Sequence, residues 1–119
     1  MNINDKTENT GHSFDAYFKR ALSPAVVLEL ISKQPKYVYE ISSEMNERSN
    51  GRFKVSVLYP VLYRLEEQGY VKVARTEIVN NRARSYYRIT GEGLDYLNKT
   101  KAEFCSMVEV VKELLDEDI

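Results

Sequence analysis

The spacing of apolar residues changes period twice along this 119-residue chain, and that order limits the fold more than any other feature. Up to about residue 68 the apolar residues recur three or four apart, the period of a helix. From Tyr70 to Ile89 apolar and polar residues alternate, the period of a strand. Beyond Thr90 the helical spacing returns and runs to Leu115. A chain patterned this way is mainly α with one small β element.

The elements can be placed in order. Phe14, Tyr17, Phe18, Ala21 and Leu22 form one face of a short helix. Ser23-Pro24 reads as a restart, a capping residue followed by proline in the first turn. A second helix then carries Val26, Val27, Leu30 and Ile31 inward and ends at Gln34-Pro35-Lys36. Tyr37 to Arg48 predicts a third helix, with Tyr37, Ile41 and Met45 on one face, Val38 beside them, and Glu40, Glu44 and Glu47 outside. After the turn Ser49-Asn50-Gly51, a helix is expected from about Val55 to Gln68, with Leu58, Val61, Leu62 and Leu65 inward and Gly69 as its left-handed cap. Pro60, in its second turn at the latest, should remove one hydrogen bond and bend it slightly. A strand from Tyr70 to Val79, a turn over Asn80 to Arg84 and a strand from Ser85 to Ile89 predict a hairpin. Thr90 caps the last helix, whose first turn Gly91 and Gly93 weaken by roughly 1 kcal/mol each.

Helices followed by a hairpin give the order of a winged helix-turn-helix with a long C-terminal dimerisation helix. In that design the helix before the hairpin enters the major groove of DNA, and the hairpin wing lies on the backbone or the minor groove. The chain divides into a disordered tail over 1–12, a winged helix-turn-helix domain over 13–90 and a dimerisation helix over 91–119.

Composition excludes other classes. At 119 residues there is room for one domain. The longest apolar run is far short of the roughly 18 residues a membrane span needs, and the polar start MNINDKTENTGHS has no signal-like core. The expectation is a small soluble protein of the cytoplasm. The one histidine, His12, lies in the polar tail, where it is expected to be solvated, and the one cysteine, Cys105, allows no internal disulfide. With no His pair, no local nucleophile–base set and no glycine-rich phosphate loop, neither an enzyme, a metal nor a cofactor is expected.

The net charge of −1 hides a segregation. Arg52 to Arg88 carries eight basic residues against three acidic, a net of +5, whereas Glu92 to the C-terminus nets −5. Such a field attracts a polyanion to one face and repels it from the other. The competing reading is that these Arg and Lys side chains only solvate a hairpin. Lys54, Ser56, Val57, Tyr59, Tyr63 and Arg64 are not needed by the apolar stripe around them and are the candidates for DNA contact, with Arg82 and Arg84 from the wing. Arg64 suits a guanine edge, Val57 a thymine methyl, and the tyrosines phosphates.

In the last helix Leu94, Leu97, Lys101, Phe104, Val108, Val111 and Leu115 alternate spacings of three and four. That is a heptad seam with one polar position, and Met107, Val110 and Leu114 widen it. About 25 residues make a helix roughly 37 Å long, longer than a small domain needs. The excess face wants a second copy in a two-fold dimer, the alternative being that the helix folds back on its own domain. Phe104, with Lys101 and Val108, could line a cleft between subunits for a flat hydrophobic effector. Cys105 reads as a buried structural thiol rather than a redox group.

LYPVLYRLEEQGYV (Leu58 to Val71) followed, after the wing, by YYRITGEG (Tyr86 to Gly93) resembles the PadR family of bacterial transcriptional regulators. The resemblance spans about Leu22 to Leu115. It implies a winged-helix homodimer that represses transcription and that a small molecule can release, and a two-fold dimer is expected to recognise a pseudo-palindromic operator. Two departures stand out. Val38 occupies the place of a common glycine in YVYEI, and the wing tip is Asn80-Asn81 rather than glycine-rich. A winged-helix module that binds protein instead of DNA is the rival function, and the +5 segment favours DNA.

Overall fold

The computed structural model describes residues 12–116, in which the helices are α1 (Phe14–Leu30), α2 (Val38–Arg48), α3 (Tyr59–Glu67) and α4 (Gly91–Leu114), and the strands β1 (Val71–Val79) and β2 (Arg82–Ile89) lie between α3 and α4. The expected tail lies outside the described residues except for His12, which is exposed with Nδ1 3.3 Å from the Tyr17 hydroxyl.

The helix break expected at Ser23-Pro24 does not occur. α1 runs through both residues, capped at its start by Ser13, whose Oγ accepts from the Ala16 N–H at 3.1 Å. An interior proline removes one helical bond and costs about 3 kcal/mol in isolation. Here the Ser23 hydroxyl donates to the Lys19 carbonyl, and the turns that follow bury Val27, Leu28 and Ile31 completely. α1 packs against α2, α3 and α4, so it is buried on more than one side. That is why Leu28, outside the predicted stripe, is as deep as Val27.

α2 buries Ile41 and Met45 as the spacing requires, and the Glu40 carboxylate accepts from the Tyr37 N–H at its start. Asn50 and Gly51, both at positive φ, turn the chain. The next helix starts at Tyr59, later than expected. Residues 53–58 instead form an irregular segment that packs Phe53 and Val55 against the core, held by the Phe53 N–H on the Ser49 hydroxyl at 2.9 Å. Pro60 therefore sits in the first turn of α3, where its missing N–H would have had no helical partner, so the expected loss of a hydrogen bond does not arise. Gly69, at φ +83°, ends α3 as expected.

The hairpin turn is tighter than the sequence suggested. Asn80 and Asn81 both take positive φ, which matches the right-handed twist of the strands, and pairing begins at once with Val79 opposite Arg82. Arg82 and Arg84 are thus strand residues. The register shifts between Val73 and Arg75, a bulge at the point where the sequence loses strict alternation. On its other edge β2 takes a single bridge to Lys36, with N–H···O distances of 3.1 and 2.9 Å to and from Tyr87.

α4 is bolted to the end of α3. The Thr90 N–H donates to the Tyr70 carbonyl at 3.0 Å and the Thr90 hydroxyl to the Gly69 carbonyl at 2.6 Å. Gly93 lies so close to this corner that a Cβ there would stand 2.1 Å from the Tyr70 oxygen. The glycine that weakens the helix locally is what lets it pack.

Candidate nucleic-acid interface

α3 turns Val61, Leu62 and Leu65 inward, which leaves Tyr59, Tyr63 and Arg64 outside. The two tyrosine rings lie 5.8 Å apart along that face. A concavity opens on each side of it. The wing-side concavity, about 940 Å³, is lined by Tyr37 and Tyr39 at the start of α2, Tyr59 and Tyr63 of α3, and Arg82 and Arg84 of β2. The smaller one, about 360 Å³, is lined by Lys54, Ser56, Val57 and Arg64 with Lys19 and Arg20 of α1. The predicted DNA-contacting residues therefore fall into two groups flanking one helix. Lys54, Ser56 and Val57 precede α3 instead of opening it.

Four residues on these surfaces were not anticipated. Tyr37 was assigned to the inward stripe, and Tyr39, Lys19 and Arg20 carried no signal, because only packing brings α1 and α2 beside α3. Lys19 is held 2.8 Å from Asp15, and the Arg20 guanidinium lies 5.4 Å from the Tyr17 ring centre.

Alternation along β2 puts Arg82, Arg84, Tyr86 and Arg88 on one face. Within that face the Arg84 guanidinium lies 4.1 Å from the Tyr37 ring centre, and Arg75 lies 3.8 Å from that of Tyr86. Glu77, the acid in this group, takes the Tyr86 hydroxyl at 3.2 Å and Arg75 Nε at 3.4 Å. Tyr87, adjacent on the strand, points to the core side. Burial, reinforced by Tyr63, Glu66 and Tyr59, pushes its phenol above the usual value, so it stays neutral.

Lys36 anchors the base of the wing. Its ammonium donates to the Leu30 carbonyl at 2.5 Å and to Glu44 at 2.5 Å, and its backbone bridges β2. The Lys36 hydrogen bond, followed by that of Arg48, holds the Glu44 carboxyl below its ordinary range against the opposing effect of partial burial.

The predicted seam residues are placed unevenly. Leu97 is part of this chain's own core, and the Lys101 ammonium lies 2.5 Å from Glu29 of α1. Leu94, Phe104, Val108, Val111 and Leu115 are exposed. Cys105 is exposed too, contrary to the expected buried thiol, because it lies on the part of α4 that has left the domain. Phe104 and Lys101 line an apolar groove of about 430 Å³ with Leu22, Val26 and Met45, whereas Val108 lies beyond it.

The sequence profile of the transcriptional regulator PadR-like family matches residues 27–99, more than half of the chain. The chain belongs to the PadR-like family of transcriptional regulators. An uncharacterised protein from Lysinibacillus sphaericus is 33% identical over 89 residues, 73% of this chain and 82% of that one. A transcriptional regulator from Clostridium thermocellum is similar in structure at a TM-score of 0.71 and 28% identity, covering 85% of this chain and 95% of its own. A PadR family regulator from Eggerthella lenta shares the fold at a TM-score of 0.78 and 24% identity, covering 94% and 97%. This PadR-like protein is thus a winged-helix, DNA-binding transcriptional regulator and not an enzyme. Among its described residues no helix is long and apolar enough to cross a membrane.

Proposed function

We propose that this protein is a homodimeric, sequence-specific repressor. α3 enters the major groove, Arg64 reads a base edge, and Arg82 and Arg84 lie on the backbone. The observation that carries the reading is the outer face of α3, exposed between two concavities that both hold arginine. A polyanion whose strands flank a groove fits that shape, and the acidic α4 stays clear of it.

Two copies are joined by the exposed stripe of α4. Each half-exposed seam side chain has about 1 kcal/mol left to gain on burial. Phe104, Val108, Val111 and Leu115 from both copies therefore offer roughly 8 kcal/mol, of the order of what association itself costs. The exposed Phe14, Tyr17 and Phe18 of α1 supply the further apolar area a stable dimer requires. A small hydrophobic effector seated at Phe104 and Lys101 would release DNA by preferring one spacing of the two α3 helices.

Selection of bound duplexes from a random pool tests the reading. It should return a pseudo-palindrome with half-sites about one helical turn apart, or a multiple of it. Recovery of no preferred sequence would remove the operator. Planar aromatic compounds should weaken the selected complex, and a Phe104→Ala protein that still dimerises should lose that response while keeping operator binding. A wild-type complex indifferent to them removes the effector.

A further inference from the structure

Two arginines of the wing, Arg75 and Arg84, lie over tyrosine rings. The Arg84 guanidinium carbon stands 4.1 Å from the Tyr37 ring centre, and Tyr37 meets Tyr86 edge-on with ring centres 5.2 Å apart. Tyr86 is in turn covered by Arg75, and Tyr37 stacks on Tyr39 at 6.4 Å. The geometry has a cause in the backbone. Lys36 bridges Tyr87 as a third, one-residue strand, so the next residue, Tyr37, stands beside Tyr86 as a cross-strand neighbour. Arg84, two residues back along β2, shares that face and reaches Tyr37 diagonally. Of these four contacts, the two that Tyr37 makes with Arg84 and with Tyr39 border the concavity beside α3, whereas Tyr86 is buried and neither it nor Arg75 is part of that lining.

We infer that the surface between β2 and the start of α2 holds a backbone phosphate of bound DNA, and that Tyr37 is a positioning residue which fixes the Arg84 guanidinium for it. This rests on the DNA-binding reading above and adds to it a residue from α2. A free arginine side chain loses rotamer freedom on meeting a phosphate, and one already laid on an aromatic face has lost part of it beforehand. The cation–π contact leaves the N–H edge of the guanidinium open, so stacking and phosphate contact are compatible. The hydroxyls of Tyr39, Tyr59 and Tyr63 around the same concavity are further donors to phosphate oxygens. Such a contact is indifferent to sequence, so it should act equally on operator and unrelated DNA.

Fluorescence anisotropy on the selected operator and on an unrelated duplex, over a series of salt concentrations, tests this. Arg84→Ala should weaken both and lower the salt slope by about 0.9, one phosphate contact. Tyr37→Leu should weaken both about two- to fivefold, the worth of an exposed cation–π contact. Tyr37→Phe should stay within about twofold of wild type, because the ring and not the hydroxyl holds Arg84. Added to Arg84→Ala, Tyr37→Leu should cost nothing further, a coupling that a purely structural role of Tyr37 would not produce. Wild-type binding by Tyr37→Leu, full additivity with Arg84→Ala, or an equal loss in Tyr37→Phe would each overturn the positioning role. Should Tyr37→Leu melt early by circular dichroism, Arg84→Lys takes its place. It keeps the charge without the planar stack and should lose about two- to fivefold, and undiminished binding would overturn the inference. A wild-type protein that binds no duplex at all would remove the DNA reading itself and this one with it.

Discussion

In the first half of α4, Gly93 and Leu97 are buried and Tyr96 stacks on Tyr70 at 4.5 Å, whereas from Lys101 onward none of the described residues is buried. Both halves carry the same three-and-four spacing of apolar residues. The difference lies in what stands opposite. The first half faces α1 and the corner after α3, Lys101 pairs with Glu29, and Phe104 borders a groove with Leu22 and Val26 of α1. Past that groove the helix continues with Met107, Val108, Val111 and Leu114 exposed. One pattern thus serves two purposes, holding a fold together and, by our reading, holding two folds together.

That division can be broken at each half. Leu97→Ala should be the most damaging change, destabilising the folded domain by about 3 kcal/mol in denaturant unfolding, since it empties a site in the core. A loss below about 1 kcal/mol would mean that the first half is not part of the core. Gly93→Ala should cost about 2 kcal/mol, although alanine is the better helix former, because its Cβ meets a backbone oxygen that cannot easily move. A neutral or stabilising result in the same assay would show that the corner yields.

Phe104→Asp should behave differently from both. It should weaken self-association by about 2 kcal/mol, seen as monomers in sedimentation at concentrations where wild type is dimeric. The far-ultraviolet spectrum of the monomer should stay largely helical, because the Phe104 side chain is 40% exposed in the single copy and Asp can turn to solvent there. Unfolding of the domain by this change, or an unaltered dimer, would erase the contrast between the two halves.

The smallest effect concerns pH and the anchor of the wing. Glu44 has its pKa lowered in the folded state, chiefly by Lys36. Its contribution is fully present above 4.5, the ordinary value, and is lost as pH falls through the lowered folded value. Wild type should therefore lose stability on acidification through that window by more than Glu44→Gln does. Equal slopes for the two proteins would mean that the Lys36–Glu44 pair contributes nothing.

Much of the fold was legible because it is local. The inward residues of α2 and α3, the cap at Gly69 and the Asn80-Asn81 turn all follow from spacing or from the φ that asparagine and glycine tolerate. The candidate site was legible in part. Arg82, Arg84, Tyr59, Tyr63 and Arg64 stood out as polar or aromatic positions that no apolar stripe required. Tyr37 did not, since its spacing from Ile41 and Met45 is that of a core residue and its exposed edge depends on where the wing docks.

What the sequence determined by itself is the order and type of the elements, the separation of positive and negative regions, and the presence of more apolar helix than one domain uses. These depend on residues near one another in the chain. The tertiary structure decided where local signals conflict. Ser23-Pro24 reads as a break, yet α1 continues because burial of the turns after it outweighs one lost hydrogen bond. Val55 to Leu58 reads as helix, yet the chain stays irregular there while Phe53 and Val55 reach the core. Which apolar residues of α4 belong to the domain, and which are left for a partner, was likewise decided by where α1 ends and the domain stops. Spacing along a helix says which residues share a face, and only the packed neighbours say what that face meets.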